Sequence, residues 1–332
     1  MTHKSHRLAL IVLTFLGACG ARGELGFVTS PDQVQEVETV FVATSRLRDE
    51  SNRFNRGRSY KLTYNRYQIS IPPSHLTGNI EWPDAKPDPE TDFAIASVSP
   101  ALSTTDFKVN IKQAMTAAKT REIQVFVHGF NTNYAESLYR VAQLKYDYQA
   151  ETPIVLYAWP SAARLRLYAY DRDSVLFARN GLEELLTNLA DANVGKISLV
   201  AHSLGSALLM ETLRQIYHDA DPHVKSKINS VILLSPDLDV DVFNTQIADI
   251  TPLPQPFVIV GSRKDKALGL MQRIAGETVR LGDNMNTARI HSDDIEILDI
   301  SEFTDGDSLN HFTIATSPSF IAKMKLQKTI TP

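Results

Sequence analysis

From about residue 106 onward, short apolar runs alternate with stretches of helical pattern, and this alternation leaves few folds open to the chain. The runs at 123–127, 153–157, 197–201, 228–234, 257–260 and 295–300 are strand-sized. Continuous apolar character over so short a length is what a strand buried on both faces requires. Between them, 133–146, 174–189 and 204–217 carry helical patterning, with Leu182, Leu185, Leu186 and Leu189 on one stripe. The expected fold class is therefore α/β, with a mostly parallel central sheet and helices on both faces. Upstream, 39–43, 67–71 and 93–98 read as further strands, forming an antiparallel N-terminal extension of one sheet edge. The segment 72–89 holds five prolines, which lack the N–H that regular structure needs, so it is expected to be a surface loop.

In a sheet of this kind, chemistry sits at the carboxyl ends of the strands. One such end reads Leu199-Val200-Ala201-His202-Ser203-Leu204-Gly205. A strand runs into Ser203 and a helix starts directly behind it, the tight turn that lifts a serine hydroxyl above the sheet. Gly205 supplies the tiny residue needed where helix and strand backbones pass closely, and Ala201 stands where a glycine is usual. The helix N-terminus adds positive potential, and the Leu204 amide can face a developing oxyanion. A second end, Val127-His128-Gly129-Phe130, fits the loop that provides the other half of an oxyanion hole, with the Phe130 amide as donor. His128 reads as a structural histidine of that loop.

A serine nucleophile needs a base and a carboxylate to orient it. His311 follows the last expected strand and is the expected base; His291 precedes that strand and falls at the wrong end of the sheet. His202 is directed elsewhere by the turn, and His218 and His223 read as surface residues. Two strand ends offer an acid: Asp265, after 257–260, is expected, and Asp237, after 228–234, is the alternative. Each also precedes a plausible helix and could cap it. The segment 161–172, with Arg164 and Arg166, follows another strand end and reads as a solvated loop beside the cleft.

Together these residues resemble bacterial α/β-hydrolases of an uncharacterised esterase/lipase-like family, over about residues 38–320. The resemblance extends to 41–46 (FVATSR), 69–75 with Gly78 (ISIPPSH…G), 157–161 (YAWPS), 265–268, and Ser235-Pro236-Asp237. It implies the α/β-hydrolase fold and an acyl-enzyme mechanism, and it keeps Asp237 in view as a site residue. Kinship of fold does not set the substrate. The expectation is a serine hydrolase cleaving a carboxylic ester. A phospholipase or acyltransferase acting on envelope lipids, and a non-catalytic envelope scaffold, are the alternatives. No metal-binding, phosphate-cradling or dinucleotide motif is present, so no cofactor is implied.

The N-terminus differs in kind. Lys4 and Arg7 precede an apolar run, 8–16, too short to span a bilayer and suited to a signal peptide. The run ends in Leu16-Gly17-Ala18-Cys19, which resembles a bacterial lipobox with Cys19 as the lipidated first residue. Cys19 is the only cysteine of the chain and cannot form an intramolecular disulfide. The expected organisation is a signal peptide at 1–18, a tether at 19–36 and a hydrolase domain at 37–332. The expected address is the cell envelope, at the periplasmic face of the outer membrane, with the lipid anchor as membrane partner. A net charge of −4 gives no reason to expect nucleic acid.

Overall fold

Nine strands make one sheet in the order β3-β2-β1-β5-β4-β6-β7-β8-β9. The structure is a computed structural model that describes residues 22–29, 34–218, 222–274, 276, 278–283 and 289–330. The expected signal peptide and Cys19 lie outside those residues. The parallel strands are β4 (Glu122–Val127), β5 (Ile154–Ala158), β6 (Lys196–His202), β7 (Ile228–Leu234), β8 (Phe257–Gly261) and β9 (Ile295–Asp299). An antiparallel ribbon of β1 (Glu36–Arg48), β2 (Phe54–Ile71) and β3 (Ala94–Leu102) extends one edge, and β1 joins β5 in parallel. The architecture is the one expected from the alternation of strand and helix.

Strand periodicity divides the core in two. Val125 and Val127 of β4 face a cluster shared with α1 (Thr104–Ala117), α3 (Tyr168–Asp191), α4 (Leu204–His218) and α6 (Val240–Asp249). Phe126 between them faces the opposite cluster, under α2 (Tyr134–Asp147) and α9 (Pro318–Ile330). Short helices α5 (Pro222–Lys225), α7 (Lys266–Ile274) and α8 (Thr313–Thr316) complete the chain. Among the described residues no helix is long and apolar enough to cross a membrane.

Two elements exceed the sequence reading. Strand β2 starts at Phe54, well before the expected 67, because its first half is a polar ribbon with Tyr60 standing 92% exposed. Helix α1 had no counterpart, although Phe107, Ile111 and Met115 are buried at four-residue spacing and Ser103 caps it through Asp106 N–H. Part of the expected tether is built into the fold. Residues 26 and 28 exchange backbone hydrogen bonds with Ile95, and Tyr139 Oη accepts from Gly26 N–H.

The proline-rich loop is pinned rather than loose. His75 lies with Nδ1 2.7 Å from Glu81 Oε2 and Nε2 3.0 Å from Asp147 Oδ1, its side chain almost wholly buried. Gly78 N–H also donates to Asp147, at 2.8 Å, from a left-handed φ of 90° that favours glycine. Burial alone would lower the His75 pKa, but the Asp147 and Glu81 hydrogen bonds and charges outweigh it and push it up to about 9. Because that exceeds the ordinary 6.5, the clamp contributes fully below pH 6.5 and is lost as pH rises through 9. The stability difference between wild type and His75→Gln, read by urea unfolding, should therefore shrink from pH 6 to pH 9.5. A constant difference would show that the charged imidazole is not the bonding species.

Candidate active site

The turn after β6 places Ser203 at φ 53°, a left-handed conformation costly for a residue with a side chain. Its N–H donates to Leu234 O of the neighbouring strand, at 2.9 Å, and the helix begins at Leu204. Such a strained position persists because its surroundings over-determine it. Gly205 is one reason: a Cβ there would sit 2.7 Å from Val127 O and closer still to His128 O. Any larger residue would drive the helix off β4.

Three expected residues come together. His311 Nε2 is 2.9 Å from Ser203 Oγ, and His311 Nδ1 is 2.7 Å from Asp265 Oδ2. The second Asp265 oxygen accepts the Leu268 N–H at 2.9 Å, so this carboxylate also caps α7. Burial lowers the His311 pKa, while the hydrogen bond and charge of Asp265, with the charges of Asp237 and Asp307, raise it further; the net shift is upward. Asp237 makes no bond to His311. It accepts from Tyr168 Oη at 2.8 Å and faces Arg280 Nε at 3.3 Å, buried among its partners.

Leu204 follows Ser203 directly, and the loop that carries Phe130 packs beside the serine through Gly129. The first residue of a helix has no intrahelical acceptor for its N–H, and among the described residues neither the Leu204 amide nor the Phe130 amide donates in a loop or turn hydrogen bond. Gly129 keeps the Phe130 loop close, since a Cβ there would lie 2.9 Å from Ser203 Cβ. His128 is wedged between Gly129 O and Trp159 O, stacked on the Trp159 ring, and burial pushes its pKa down to about 3. Its two ring nitrogens face main-chain carbonyls, so it is held by the loop and not aimed at Ser203. His202 stacks on Phe312 at 3.7 Å, and burial drives its pKa well below the ordinary value.

Several supporting residues had not been singled out in the sequence. Arg46, at the end of the FVATSR stretch, is buried and donates to Thr132 O and Ser161 O at 2.9 and 3.0 Å. It ties together the loops after β4 and β5. Asp307 holds the His311 loop, accepting from the N–H groups of Leu309, His311 and Phe312. Within 161–172, Arg164 and Arg166 are exposed as expected, but Tyr168 turns inward. Its hydroxyl meets Asp237, and its ring packs edge-on against Phe130 at 5.1 Å. Among the described residues no cluster of His, Cys, Asp or Glu is arranged to hold a metal.

A family model described as an alpha/beta hydrolase of unknown function (DUF900) matches residues 103–328. A comparison with curated proteins returned no match. Solved structures similar in chain path include a dienelactone hydrolase from Anabaena variabilis ATCC 29413. That likeness has 10% identity and TM-score 0.39, over 80% of this chain and 90% of that one. Esterase 2 of Thermogutta terrifontis, phosphoramylated by tabun, is 12% identical with TM-score 0.38, over 91% and 96% of the two chains. A monoacylglycerol lipase of Paleococcus ferrophilus is 12% identical with TM-score 0.38, over 63% and 92%.

The charge arrangement around His311 is testable directly. Asp265→Asn removes the largest upward contribution and leaves burial opposed only by the charges of Asp237 and Asp307, so the His311 imidazole should titrate at lower pH in that variant. Asp237→Asn should lower it by less. Nitrogen-15 NMR of the His311 ring across pH checks both, and an equal effect of the two substitutions would contradict the geometry.

Proposed function

Because the chain belongs to this family of alpha/beta hydrolases (DUF900), we propose that it is a serine hydrolase that cleaves carboxylic esters through an acyl-enzyme. The observation that carries this reading is the unbroken chain from Ser203 Oγ through the His311 ring to Asp265. Ser203 Oγ attacks the acyl carbon while His311 Nε2 accepts its proton. The tetrahedral oxyanion forms against the N–H groups of Leu204 and Phe130. His311 then returns the proton to the leaving alcohol, giving an ester at Ser203. Water, deprotonated by the same imidazole, releases the acid and restores the serine. Asp265 keeps the Nδ1–H tautomer and stabilises the imidazolium between these steps.

Ser203→Ala should abolish hydrolysis of a short 4-nitrophenyl ester and labelling by a fluorophosphonate probe. Removing a hydroxyl whose only hydrogen-bond partner among the described residues is His311 should leave thermal unfolding nearly unchanged. Turnover retained in this variant would overturn the nucleophile assignment.

The cell-envelope address is part of the same proposal. It is supported by the apolar run 8–16, the small residues before Cys19 and the absence of a second cysteine. Lipidated Cys19 would anchor the domain, since one protein-borne lipid group with two or more chains holds stably where a single chain does not. Cys19→Ala should move the protein from the membrane fraction to the soluble one after cell fractionation. An unchanged membrane fraction would sink the anchor.

A further inference from the structure

Beside the site lies a cavity of about 280 Å³ that the proposed mechanism leaves unused. Gly129, His202 and Phe312 form the wall it shares with the site. Gly129 packs on the Ser203 side chain and Phe312 follows His311, so the cavity is one residue away from the reacting atoms. Trp82 and Phe126 supply apolar surface on its other sides. The volume is near the lower end of small-ligand pockets, about 300 Å³, enough for a short chain with one polar end.

Three charged side chains line this cavity: Arg22, Glu136 and Arg140. Glu136 is fully engaged, by the Arg22 guanidinium and by the N–H groups of Gly23 and Asn133. Arg140 is not neutralised in this way. Its Nη1 donates to Gln143 Oε1 at 2.7 Å and to Ala315 O at 3.4 Å, and its guanidinium lies over the Phe312 ring. Among the described residues no carboxylate lies within ion-pair distance of it. The acids whose charge it feels most are already committed. Asp147 serves His75, Gly78 and Gln143, and Asp307 serves the His311 loop.

A guanidinium has donors on three nitrogens, and only Nη1 of Arg140 is used. Nε and Nη2 have no hydrogen-bond partner among the described residues, and the residue lines the cavity. Burial lowers the Arg140 pKa to about 10, which still leaves a cation at neutral pH. A half-buried cation without a counter-ion is costly, and a bidentate carboxylate or phosphate is the group that best offsets it.

We propose that this cavity receives the anionic end of the substrate, a carboxylate or phosphate borne by the ester, with Arg140 as its counter-ion. In naming a substrate this rests on the ester-hydrolase reading; the binding site itself does not. The kinetic test compares 4-nitrophenyl hexanoate with the 4-nitrophenyl half-ester of adipic acid, which has the same length and a terminal carboxylate. Wild type should favour the half-ester in kcat/KM by at least about ten-fold at low salt. Arg140→Gln should erase most of that preference, and Arg140→Lys, which keeps the charge, should retain part of it. An equal preference in wild type and Arg140→Gln overturns the proposal.

Calorimetric titration of the Ser203→Ala protein with adipate, and separately with inorganic phosphate, provides a readout free of turnover. Each anion that fits the site should bind about ten-fold more weakly when Arg140→Gln is added, and the tighter of the two identifies the group. Arg140-dependent binding without turnover of either ester would keep the site and remove the hydrolase reading. Absence of Arg140-dependent binding, with both esters hydrolysed, would remove the site and keep the hydrolase.

Discussion

How closely helix α4 approaches the end of β4 decides everything at the site. The carbonyls of Val127 and His128 lie where a Cβ on residue 205 would be, so the two elements meet only because that residue is glycine. That contact holds Ser203 in its left-handed conformation, at a cost of about 1–3 kcal/mol for such a residue. The proposed nucleophile is thus placed by a close backbone approach, without a dedicated side chain.

Around that contact, the loops after successive strands are fastened by polar side chains, with Arg46 and Asp171 buried and Asp307 partly so. Arg46 ties the β4 and β5 loops through carbonyl oxygens. Asp171 does the same within the β5 loop, accepting from Ser161 Oγ and Ala162 N–H at 2.6 Å each. Asp307 gathers three N–H groups of the loop that presents His311. Buried charges are costly unless fully hydrogen-bonded, and the bonds these side chains make go largely to backbone groups. The cost is recovered as loop order, which a site on strand ends needs because loops otherwise move independently. Arg140 stands apart: it lines a cavity, and among the described residues only its Nη1 is hydrogen-bonded.

The core sheet was legible because buried parallel strands must be apolar on both faces, and runs such as 123–127 leave no other reading. Ser203, His311 and Asp265 were legible because each follows a strand end in the chain order this chemistry uses. The first half of β2 was not, since a polar edge ribbon carries no alternation strong enough to mark it. Position favoured Asp265 over Asp237 without excluding the second, since both follow strands; the folded chain shows that Arg280 and Tyr168 occupy Asp237. Those partners are far apart in sequence and left no local signal. Arg46 was visible only as one letter of a shared stretch, because its partners are main-chain carbonyls that any residue can supply.

Arg22 donates to Asn131 O at 2.8 Å, directly after the Phe130 amide, and it sits three positions beyond Cys19. Three residues span at most about 11 Å even when fully extended. A domain attached to a surface at Cys19 would therefore have almost no slack, and could not tumble as a ball does on a long string. It would stay close to that surface, with the loop of residues 129–131 beside the point of attachment. Its search for substrate would then become sliding in two dimensions, with the mouth of the site carried along at constant height.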